Sequence, residues 1–240
     1  MSTVPIGEDD LHNAHGLVAA FVPNGSRVLD IGCGFGQIAS RLQQRGCRIT
    51  GVEPDPARRA VAAEFCERVM DGVAEGLDQL DLEPASFDAI LFADVLEHLV
   101  NPWAALRDVQ RFLKPEGRTV ISIPNIANFG VRVNLLKGEF EYQDFGIYDR
   151  THLRFFTRAT AEELVQSAGL HVVQRGYTSN LTETGLYRRT FGRVKSLHQT
   201  AQRFDYWLTY RKPELFAVQF ILACQQSDVA SGGEGSSAAG

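Results

Sequence analysis

Apolar runs typical of buried strands alternate with amphipathic segments along the first half of the chain. The strand-like runs are residues 27–32, 48–54, 87–94 and 118–124. Segments with apolar residues at helical spacing lie between them, at 37–46, 55–66 and 101–117. Gly46 ends the first of these helices, and Pro102 and Gly117 bound the third. Because strands and helices alternate strictly, the pattern predicts right-handed βαβ units and a parallel sheet with helices on both faces.

The alternation stops after Pro124 and resumes with a predicted helix at residues 159–169. Thr160 and Glu163 in that helix have the spacing of a capping box. Strand-like runs at 171–177 and 215–224 then close the predicted sheet.

The length of 240 residues is enough for one well-buried core, so we expect one domain over residues 1–228. Two segments within it depart from the strand–helix pattern. Residues 125–157 form a long irregular stretch, which we expect to be a substrate lid because long loops in compact domains are usually functional. Residues 181–212 form a predicted helical cap insertion. Residues 229–240 are rich in Gly, Ser and Ala and are expected to be a disordered tail.

The cap insertion carries a predicted amphipathic helix, residues 186–211. Apolar residues recur there at steps of three and four, at Tyr187, Phe191, Val194, Leu197, Ala201, Phe204 and Leu208. Basic residues occupy the remaining positions: Arg188, Arg189, Arg193, Lys195, Arg203 and Arg211. Two interpretations stay open. The helix packs on the sheet with a solvated basic face, or it docks an anionic acceptor such as a phosphorylated sugar, or lipid headgroups.

Composition and charge exclude several classes of protein. The formal net charge of −5 argues against a general nucleic-acid binder. No apolar run approaches the roughly 18 residues of a membrane span, and the N-terminus lacks the apolar core of a secretory signal. The four cysteines form no CxxC pair, so we expect neither a disulfide framework nor a zinc site, and no other metal cluster. A cytoplasmic location is the simplest expectation.

The stretch RVLDIGCGFG, residues 27–36, runs a strand into three alternating glycines. A dinucleotide fingerprint requires a glycine at the sixth position of its motif, which Gln37 occupies here. Asp30 places a carboxylate at the strand end, where a pyrophosphate would not need one. A carboxylate beside a glycine turn suits a ligand with a cationic head, such as the ammonium and sulfonium of S-adenosylmethionine.

Further acidic residues end the neighbouring strands. Glu53 ends the second strand, where several nucleotide cofactors place an acid on ribose hydroxyls. Asp94, Glu97 and His98 follow a later strand, at the carboxyl edge where ligands bind in open α/β sheets. Glu97 has an alternative role at the start of a helix, because an acid there complements the helix dipole.

Three segments together resemble the class I S-adenosylmethionine-dependent methyltransferases: VLDIGCGFG, GVEPD and residues 87–125. Residues 122–157 are similar to a branch found beside sugar and secondary-metabolite biosynthesis genes, and to ubiquinone-type O-methyltransferases. The resemblance covers about residues 25–175. It implies a Rossmann-like, mostly parallel sheet of seven strands with helices on both faces, S-adenosylmethionine as cofactor and S-adenosylhomocysteine as product.

The resemblance also implies a role for each motif residue. The glycine turn surrounds the methionine half of the cofactor, and the acid of the second motif, with the proline after it, holds the ribose. The segment after the third strand reaches adenine, and the end of the fourth lies under the transferring methyl. The implied cofactor-binding residues are Asp30, Gly32, Gly34, Gly36, Glu53, Pro54, Asp71, Gly72, Val73, Phe92, Ala93 and Asp94.

The lid is expected to bind the acceptor, because it holds many polar side chains among aromatic ones. The candidate acceptor-binding residues are Asn125, Arg132, Tyr148, Asp149 and Arg150. Residues 131–136 also have the composition of a short helix. His152 is the one histidine of the lid, and its ordinary pKa of about 6.5 suits a general base at neutral pH. The alternative is a structural histidine at the start of a strand formed by residues 153–156.

The sequence therefore predicts an S-adenosylmethionine-dependent methyltransferase that acts on an oxygen of a sugar or natural-product intermediate. The expected partner is a small-molecule acceptor, which can be anionic or sugar-linked, and a homodimer is left open. N- or C-methylation of a small metabolite is an alternative. A dinucleotide oxidoreductase and a non-catalytic cofactor-binding regulatory partner are alternatives from other classes of protein.

Overall fold

The computed structural model describes residues 13–179 and 195–227. Its strands are β1 (Arg27–Ile31), β2 (Arg48–Val52), β3 (Arg68–Met70), β4 (Phe87–Ala93), β5 (Leu113–Pro124), β6 (Leu170–Thr178) and β7 (Gln219–Gln226). Its α-helices are α1 (Ala14–Ala20), α2 (Gln37–Gln43), α3 (Pro56–Ala62), α4 (Pro102–Asp108), α5 (Phe129–Leu136), α6 (Arg158–Ser167), α7 (Lys195–Arg211) and α8 (Pro213–Phe216). Short 3₁₀ segments are Ala74–Gln79, Leu96–His98 and Val109–Phe112.

The strands form one seven-stranded sheet in the order β3-β2-β1-β4-β5-β7-β6. Parallel pairing joins the first five of these strands, and β7 is antiparallel to both β5 and β6. The predicted Rossmann-like, mostly parallel sheet is therefore confirmed. The chain reverses its direction of progress across the sheet between β1 and β4, which is where ligands bind in open α/β folds.

Successive side chains of the central strands enter two separate cores, one on each face of the sheet. Leu29, Ile90 and Phe92 belong to the core that includes residues of α4 and α6. Val28 and Leu91 belong to the other core, with residues of α1 and α2. Because both faces are covered, the strands are apolar at nearly every position, as in other buried parallel sheets. A polar side chain at a central position, such as that of Asp30, therefore needs an explanation.

The predicted helix at residues 101–117 is too long. Helix α4 ends at Asp108, the 3₁₀ segment ends at Phe112, and strand β5 already begins at Leu113. Leu113 pairs with Phe87 of β4 across an irregularity in the register, and Gly117 lies within the strand. Strand pairing and burial of Leu113 thus override the helical pattern of the segment.

The start of α6 differs from the prediction as well. Its N-cap is Thr157, and the capping box joins Thr157 to Thr160 rather than Thr160 to Glu163. The alternative strand at 153–156 does not form either; Phe156 makes an isolated bridge with Asn125. The helix expected within the lid is present as α5.

Helix α7 confirms the C-terminal part of the predicted amphipathic helix, but a different face is buried. Phe204 was predicted on the apolar stripe and is 59% exposed, whereas Asp205 and Thr209 are buried. Phe204 instead stacks against Trp207, with their ring centroids 5.8 Å apart. The rest of this predicted helix, at 186–194, and the predicted tail lie outside the described residues. None of the described helices is long and apolar enough to cross a membrane.

Candidate active site

The turn between β1 and α2 needs glycine at two of its positions in particular. Gly32 has a φ of +70°, and a Cβ there would lie 2.6 Å from Cγ2 of Val95. Gly36 has a φ of +79° and is the N-cap residue of α2. A side chain at either position would be strained, and at Gly32 it would also collide. The turn can therefore present backbone, rather than side chains, to a ligand.

Asp30 lies beneath this turn and is 1% exposed. Among the described residues, its Oδ2 has no hydrogen-bond partner. Burial, together with the nearby negative charge of Glu53, raises the pKa of Asp30 to about 7. An isolated buried carboxylate is costly, and a cationic group close by would favour its ionised form.

Glu53 connects the ends of β1 and β2. Its Oε2 accepts a hydrogen bond from the backbone N–H of Gly34, and its Oε1 accepts one from the N–H of Asp55, each at 3.0 Å. The residue is 4% exposed and still reaches the cavity described next. Since a carboxylate has about four acceptor positions, Glu53 can accept further hydrogen bonds from a ligand.

A cavity of about 610 Å³ opens at the carboxyl ends of β1, β2, β3 and β4. The lid covers one side of it. Eight predicted site residues line the cavity: Gly32, Glu53, Pro54, Gly72, Val73, Asp94, Asp149 and Arg150. The other predicted site residues do not line it: Asp30, Gly34, Gly36, Asp71, Phe92, Ala93, Asn125, Arg132, Tyr148 and His152.

Several side chains outside the lining have partners elsewhere. The carboxylate of Asp71 forms an ion pair with Arg59 at 2.9 Å, and the ring of Phe92 is fully buried in the core. Arg132 donates from Nε to the carbonyl of Ala127 at 2.6 Å. The hydroxyl of Tyr148 accepts from the amide of Asn134 at 3.1 Å.

Asn125, at the start of the lid, is fully buried and is held by the chain itself. Its side-chain amide donates to the carbonyls of Ala217 at 2.9 Å and Glu214 at 3.2 Å. Its Oδ1 accepts from the N–H of Ala127 at 3.0 Å. These bonds join the lid to α8, and they use most of the bonding capacity that a substrate contact would require.

Asp94 directly follows β4 and has a φ of +54°, a left-handed conformation that is uncommon outside glycine. Two side chains hold its Oδ1: the hydroxyl of Ser122 donates at 2.5 Å and the amide of Gln219 at 2.8 Å. Strained backbone of this kind concentrates at functional sites, and here it brings the residue to the cavity wall.

His98 lines the cavity and contacts the lid. Its Nδ1 lies 3.2 Å from the carbonyl oxygen of Thr151 and 3.0 Å from the Thr151 hydroxyl. That hydroxyl donates to Oδ1 of Asp149 at 2.6 Å. Although partial burial acts to raise the pKa of Asp149, the Thr151 hydrogen bonds and the two nearby histidines hold it below its usual value.

His152 packs against His98 but does not line the cavity, and its side chain is 5% exposed. The two rings meet edge to face, with centroids 4.7 Å apart. Nε2 of His152 is 3.9 Å from Oε1 of Glu97. Burial, and then the proximity of His98, lowers the pKa of His152, while burial and the charge of Asp94 raise that of Glu97 well above its usual value.

The structure brings together three residues at metal-ligand spacing that the sequence analysis did not predict, and the expectation of no metal site stays a prediction. Glu97, His98 and His152 each place one potential ligand atom within 4.8 Å of the others. Within the described part of the chain, neither carboxylate oxygen of Glu97 has a hydrogen-bond partner. No sequence pattern indicates this group, because Glu97 and His152 are far apart along the chain. They meet only because the lid packs against the segment that follows β4.

The structure also adds cavity residues that the sequence analysis did not single out. Val95 and Leu99 contribute apolar surface, and Arg58, Asp144 and Thr151 contribute polar side chains. Thr151 had one local signal, the Asp-x-Thr spacing from Asp149, which is typical of a turn closed by a side chain.

Comparison with known proteins identifies a family. A family model described as a methyltransferase domain matches residues 10–175. The ubiquinone biosynthesis O-methyltransferase of Pseudomonas aeruginosa (strain UCBPP-PA14) is 35% identical over 107 residues, which are 42% of this chain and 45% of that protein. The same-named protein of Xylella fastidiosa (strain 9a5c) is 32% identical over 143 residues, 51% of this chain and 55% of that protein. The chain thus spans about half the length of these curated relatives.

Solved structures share the fold at low sequence identity. A possible histamine N-methyltransferase from Thermotoga maritima has a TM-score of 0.58 and 20% identity, over 91% of this chain and 89% of that chain. The 1,6-didemethyltoxoflavin-N1-methyltransferase of Burkholderia thailandensis, whose structure holds its namesake compound and S-adenosylhomocysteine, has a TM-score of 0.56 and 18% identity, over 92% and 80%. The predicted superfamily and its cofactor are confirmed: the chain belongs to the class I S-adenosylmethionine-dependent methyltransferases.

Proposed function

We propose that this protein transfers the methyl group of S-adenosylmethionine to a hydroxyl oxygen of a small molecule. The observation that carries the proposal is that one cavity is lined both by Gly32 and Glu53 of the strand ends and by His98 and Thr151. A carboxylate that can accept ribose hydroxyls and an imidazole that can accept a proton thus line the same space. Its volume of about 610 Å³ lies within the range of small-molecule sites.

The proposed cofactor contacts follow the strand ends. Glu53, followed by Pro54, accepts hydrogen bonds from the ribose hydroxyls. Gly72 and Val73 lie against adenine, and the ion pair of the neighbouring Asp71 with Arg59 steadies that segment.

The methionine half of the cofactor lies along the glycine turn. Gly32, Gly34 and Gly36 allow its close approach, and its positive charge favours the ionised form of Asp30 beneath the turn. Phe92 and Ala93 contribute backbone beneath the methyl group, and the cavity-lining residue that follows them is Asp94.

Two observations favour oxygen as the acceptor atom. The two curated sequence relatives named above are O-methyltransferases, whereas the two solved structures, at lower identity, are named as N-methyltransferases. An alcohol must also lose a proton to become a methyl ether, and an imidazole that can accept it lines the cavity. We propose a sugar or natural-product intermediate as the acceptor class. Its hydroxyls would contact Asp149 and Arg150 on the lid, whereas Arg132 and Tyr148 would shape the lid through their own hydrogen bonds.

The test separates cofactor binding from transfer. S-adenosylhomocysteine binding is measured by calorimetry, with NAD as a control ligand. Release of S-adenosylhomocysteine is then followed with a panel of sugar alcohols, catechols and simple phenols, and the products are analysed by mass spectrometry. We expect binding of S-adenosylhomocysteine, no binding of NAD, and a product with one added methyl on oxygen.

Three outcomes would contradict the proposal in different ways. Absence of S-adenosylhomocysteine binding would overturn the cofactor assignment. Methyl groups on nitrogen or carbon in the products would overturn the acceptor atom. Binding without transfer to any acceptor class would favour a non-catalytic cofactor-binding partner.

A further inference from the structure

The protonation of the His98 ring is determined by its neighbours. Nδ1 lies 3.2 Å from the backbone carbonyl oxygen of Thr151. A carbonyl oxygen can only accept a hydrogen bond, so the proton of the neutral ring must be on Nδ1. The lone pair of the ring is therefore on Nε2, the nitrogen that can take up a proton.

Thr151 is itself held in the orientation that this tautomer requires. Its hydroxyl donates to Oδ1 of Asp149 at 2.6 Å, and its backbone N–H donates to the same oxygen at 2.8 Å. Because the hydroxyl hydrogen is used on Asp149, a lone pair of the hydroxyl remains to accept from Nδ1 of His98 at 3.0 Å. The three residues form one directed chain of hydrogen bonds that ends in a carboxylate.

The backbone fastens the lid beside His98. The carbonyl of Glu97 accepts from the N–H of Leu153 at 2.8 Å and from that of Arg154 at 2.9 Å. The residue before His98 thus anchors the residues just after Thr151, and the hydrogen-bonded chain does not depend on side-chain contacts alone.

His152 is placed differently. Its side chain is 5% exposed, and its Nε2 lies 3.9 Å from Oε1 of Glu97. It is not part of the cavity lining. A base must come within hydrogen-bond reach of the proton that it removes. Of these two histidines, only His98 lines the cavity in which the acceptor would bind.

We propose that His98 is the general base of methyl transfer, that Thr151 and Asp149 are positioning residues for it, and that His152 packs behind its ring. The inference rests on the proposed function. In the step, the acceptor O–H bond breaks and its proton moves to Nε2 of His98. An oxygen electron pair forms the new O–CH₃ bond, and the pair of the broken C–S bond remains on sulfur as a neutral thioether. The imidazolium that results is stabilised by Asp149 through Thr151, and later releases its proton to water.

The experiment compares His98→Ala and His98→Gln with His152→Ala, and uses the exposed His171→Ala as the matched control. With cofactor saturating, kcat is measured on an aliphatic alcohol and on phenols of increasing acidity. We expect both His98 variants to lose about 10²–10⁴-fold in kcat on the alcohol, the usual contribution of general-base catalysis. The loss should shrink as the acceptor becomes more acidic. S-adenosylhomocysteine affinity should remain within about twofold of wild type in both, which shows that the site is folded.

Thr151 tests the positioning role. Thr151→Val keeps the shape but removes the hydroxyl, and should lower kcat about 10–100-fold on the alcohol, by analogy with the loss when a partner that orients a metal-bound histidine is removed. Thr151→Ser restores the hydroxyl and should recover most of the rate. Because the hydroxyl also closes the turn with Asp149, the rescue alone does not distinguish positioning from a structural role. A positioning role requires that the loss in Thr151→Val shrink as the acceptor becomes more acidic, as for the His98 variants, and a purely structural role would not give this dependence.

Each contrary outcome identifies what has failed. If wild type transfers no methyl group to any acceptor, the proposed function fails. If wild type is active and both His98 variants retain its rate, the base assignment is overturned. Loss confined to His152→Ala, with the same dependence on acceptor acidity, would assign the base to His152. Loss of activity in EDTA with recovery in Mg²⁺ or Zn²⁺ would also overturn the base assignment, because the imidazole would then be a metal ligand.

Discussion

The two sides of the cavity are stabilised in different ways. Gly32, Glu53, Pro54, Gly72 and Val73 form the wall proposed to hold the cofactor, called the cofactor wall below, which stands on the ends of parallel strands. The carboxylate of Glu53 accepts a hydrogen bond from the backbone of the neighbouring turn. The lid wall, formed by Asp144, Asp149, Arg150 and Thr151, consists largely of exposed side chains that bond one another over a few residues. The geometry of the first therefore follows from the sheet. That of the second depends on a few anchors to the rest of the domain.

The largest expected effect concerns Asn125, the anchor at the start of the lid. Asn125→Ala removes three side-chain hydrogen bonds at a fully buried position. The N–H of Ala127 and the carbonyl of Glu214 lose this partner, whereas the carbonyl of Ala217 keeps the side-chain amide of Asn128. We expect the free energy of unfolding to fall by about 2–4 kcal/mol, since each buried polar group left unsatisfied costs about 1–3 kcal/mol. Urea denaturation of the cofactor-free protein measures this change.

The control for that variant lies within the lid. Asn134→Ala removes a part-buried bond to the hydroxyl of Tyr148 and should cost about 1 kcal/mol or less. An Asn125→Ala protein with unchanged stability and a raised KM for the acceptor would contradict the anchor role. It would support instead the acceptor contact that the sequence predicted for Asn125.

The next largest effect concerns Glu53 on the cofactor wall. Glu53→Ala should weaken S-adenosylhomocysteine binding on the order of tenfold to a hundredfold, because charge-assisted hydrogen bonds to the ribose contribute roughly 1.5–3 kcal/mol. It should also lower the stability of the cofactor-free protein, since the N–H groups of Gly34 and Asp55 lose their acceptor. Calorimetry and thermal denaturation measure the two effects.

The exposed Glu64→Ala is the matched control and should change neither quantity. Glu53→Gln keeps a carbonyl oxygen as acceptor and should fall between wild type and Glu53→Ala in both measurements. Full S-adenosylhomocysteine affinity in Glu53→Ala would place the ribose elsewhere.

A smaller effect, which depends on pH, concerns Asp30. Its pKa is about 7 in the folded protein, against 3.8 for an ordinary aspartate, because of burial and the charge of Glu53. Between these values the folded state holds a proton that the unfolded state does not, so this group makes stability fall as pH rises from about 4 to 7. The slope is at most about 1.4 kcal/mol per pH unit and disappears above pH 7, where both states are ionised.

Asp30→Asn should remove that contribution. The variant should be more stable than wild type at pH 8 without cofactor, and should bind S-adenosylhomocysteine less tightly. Urea denaturation of both proteins from pH 5 to pH 8 measures the difference, in which the buried Glu97 cancels because both proteins contain it. If the difference in unfolding free energy does not change with pH, Asp30 is already ionised in the folded state at pH 5.

Sequence patterns predict the cavity-lining residues at the strand ends better than those of the lid, for a physical reason. The strand ends, the glycine turn and the acid at Glu53 have local signals, because sheet geometry brings strand termini together whatever the loops do. The contact between His98 and Thr151 joins residues 53 apart in sequence, and no periodicity encodes it. The sequence draws attention to His152 because it is the one histidine of the lid. Its side chain is nevertheless buried outside the cavity lining, whereas His98 lines the cavity. Local periodicity also fails to predict the exposed ring of Phe204, because tertiary packing decides which face of α7 is covered.

The smallest stability effect is expected for Arg150, at the rim of the lid wall. Its guanidinium lies 2.7 Å from Oδ1 of Asp144, and both side chains are more than half exposed. Exposed ion pairs contribute about 0.2–1 kcal/mol, so Arg150→Gln should change the unfolding free energy by no more than that. Arg107→Gln, which removes an exposed ion pair with Asp108 at 3.7 Å and away from the cavity, is the matched control.

If Arg150 contacts the acceptor, its variant should raise the acceptor KM several-fold at nearly unchanged S-adenosylhomocysteine affinity, whereas Arg107→Gln should leave both unchanged. Steady-state kinetics at low and high salt separates the two roles of Arg150, because salt screens an exposed charge pair. Equal KM values for Arg150→Gln and wild type at both salt concentrations would restrict Arg150 to its ion pair with Asp144.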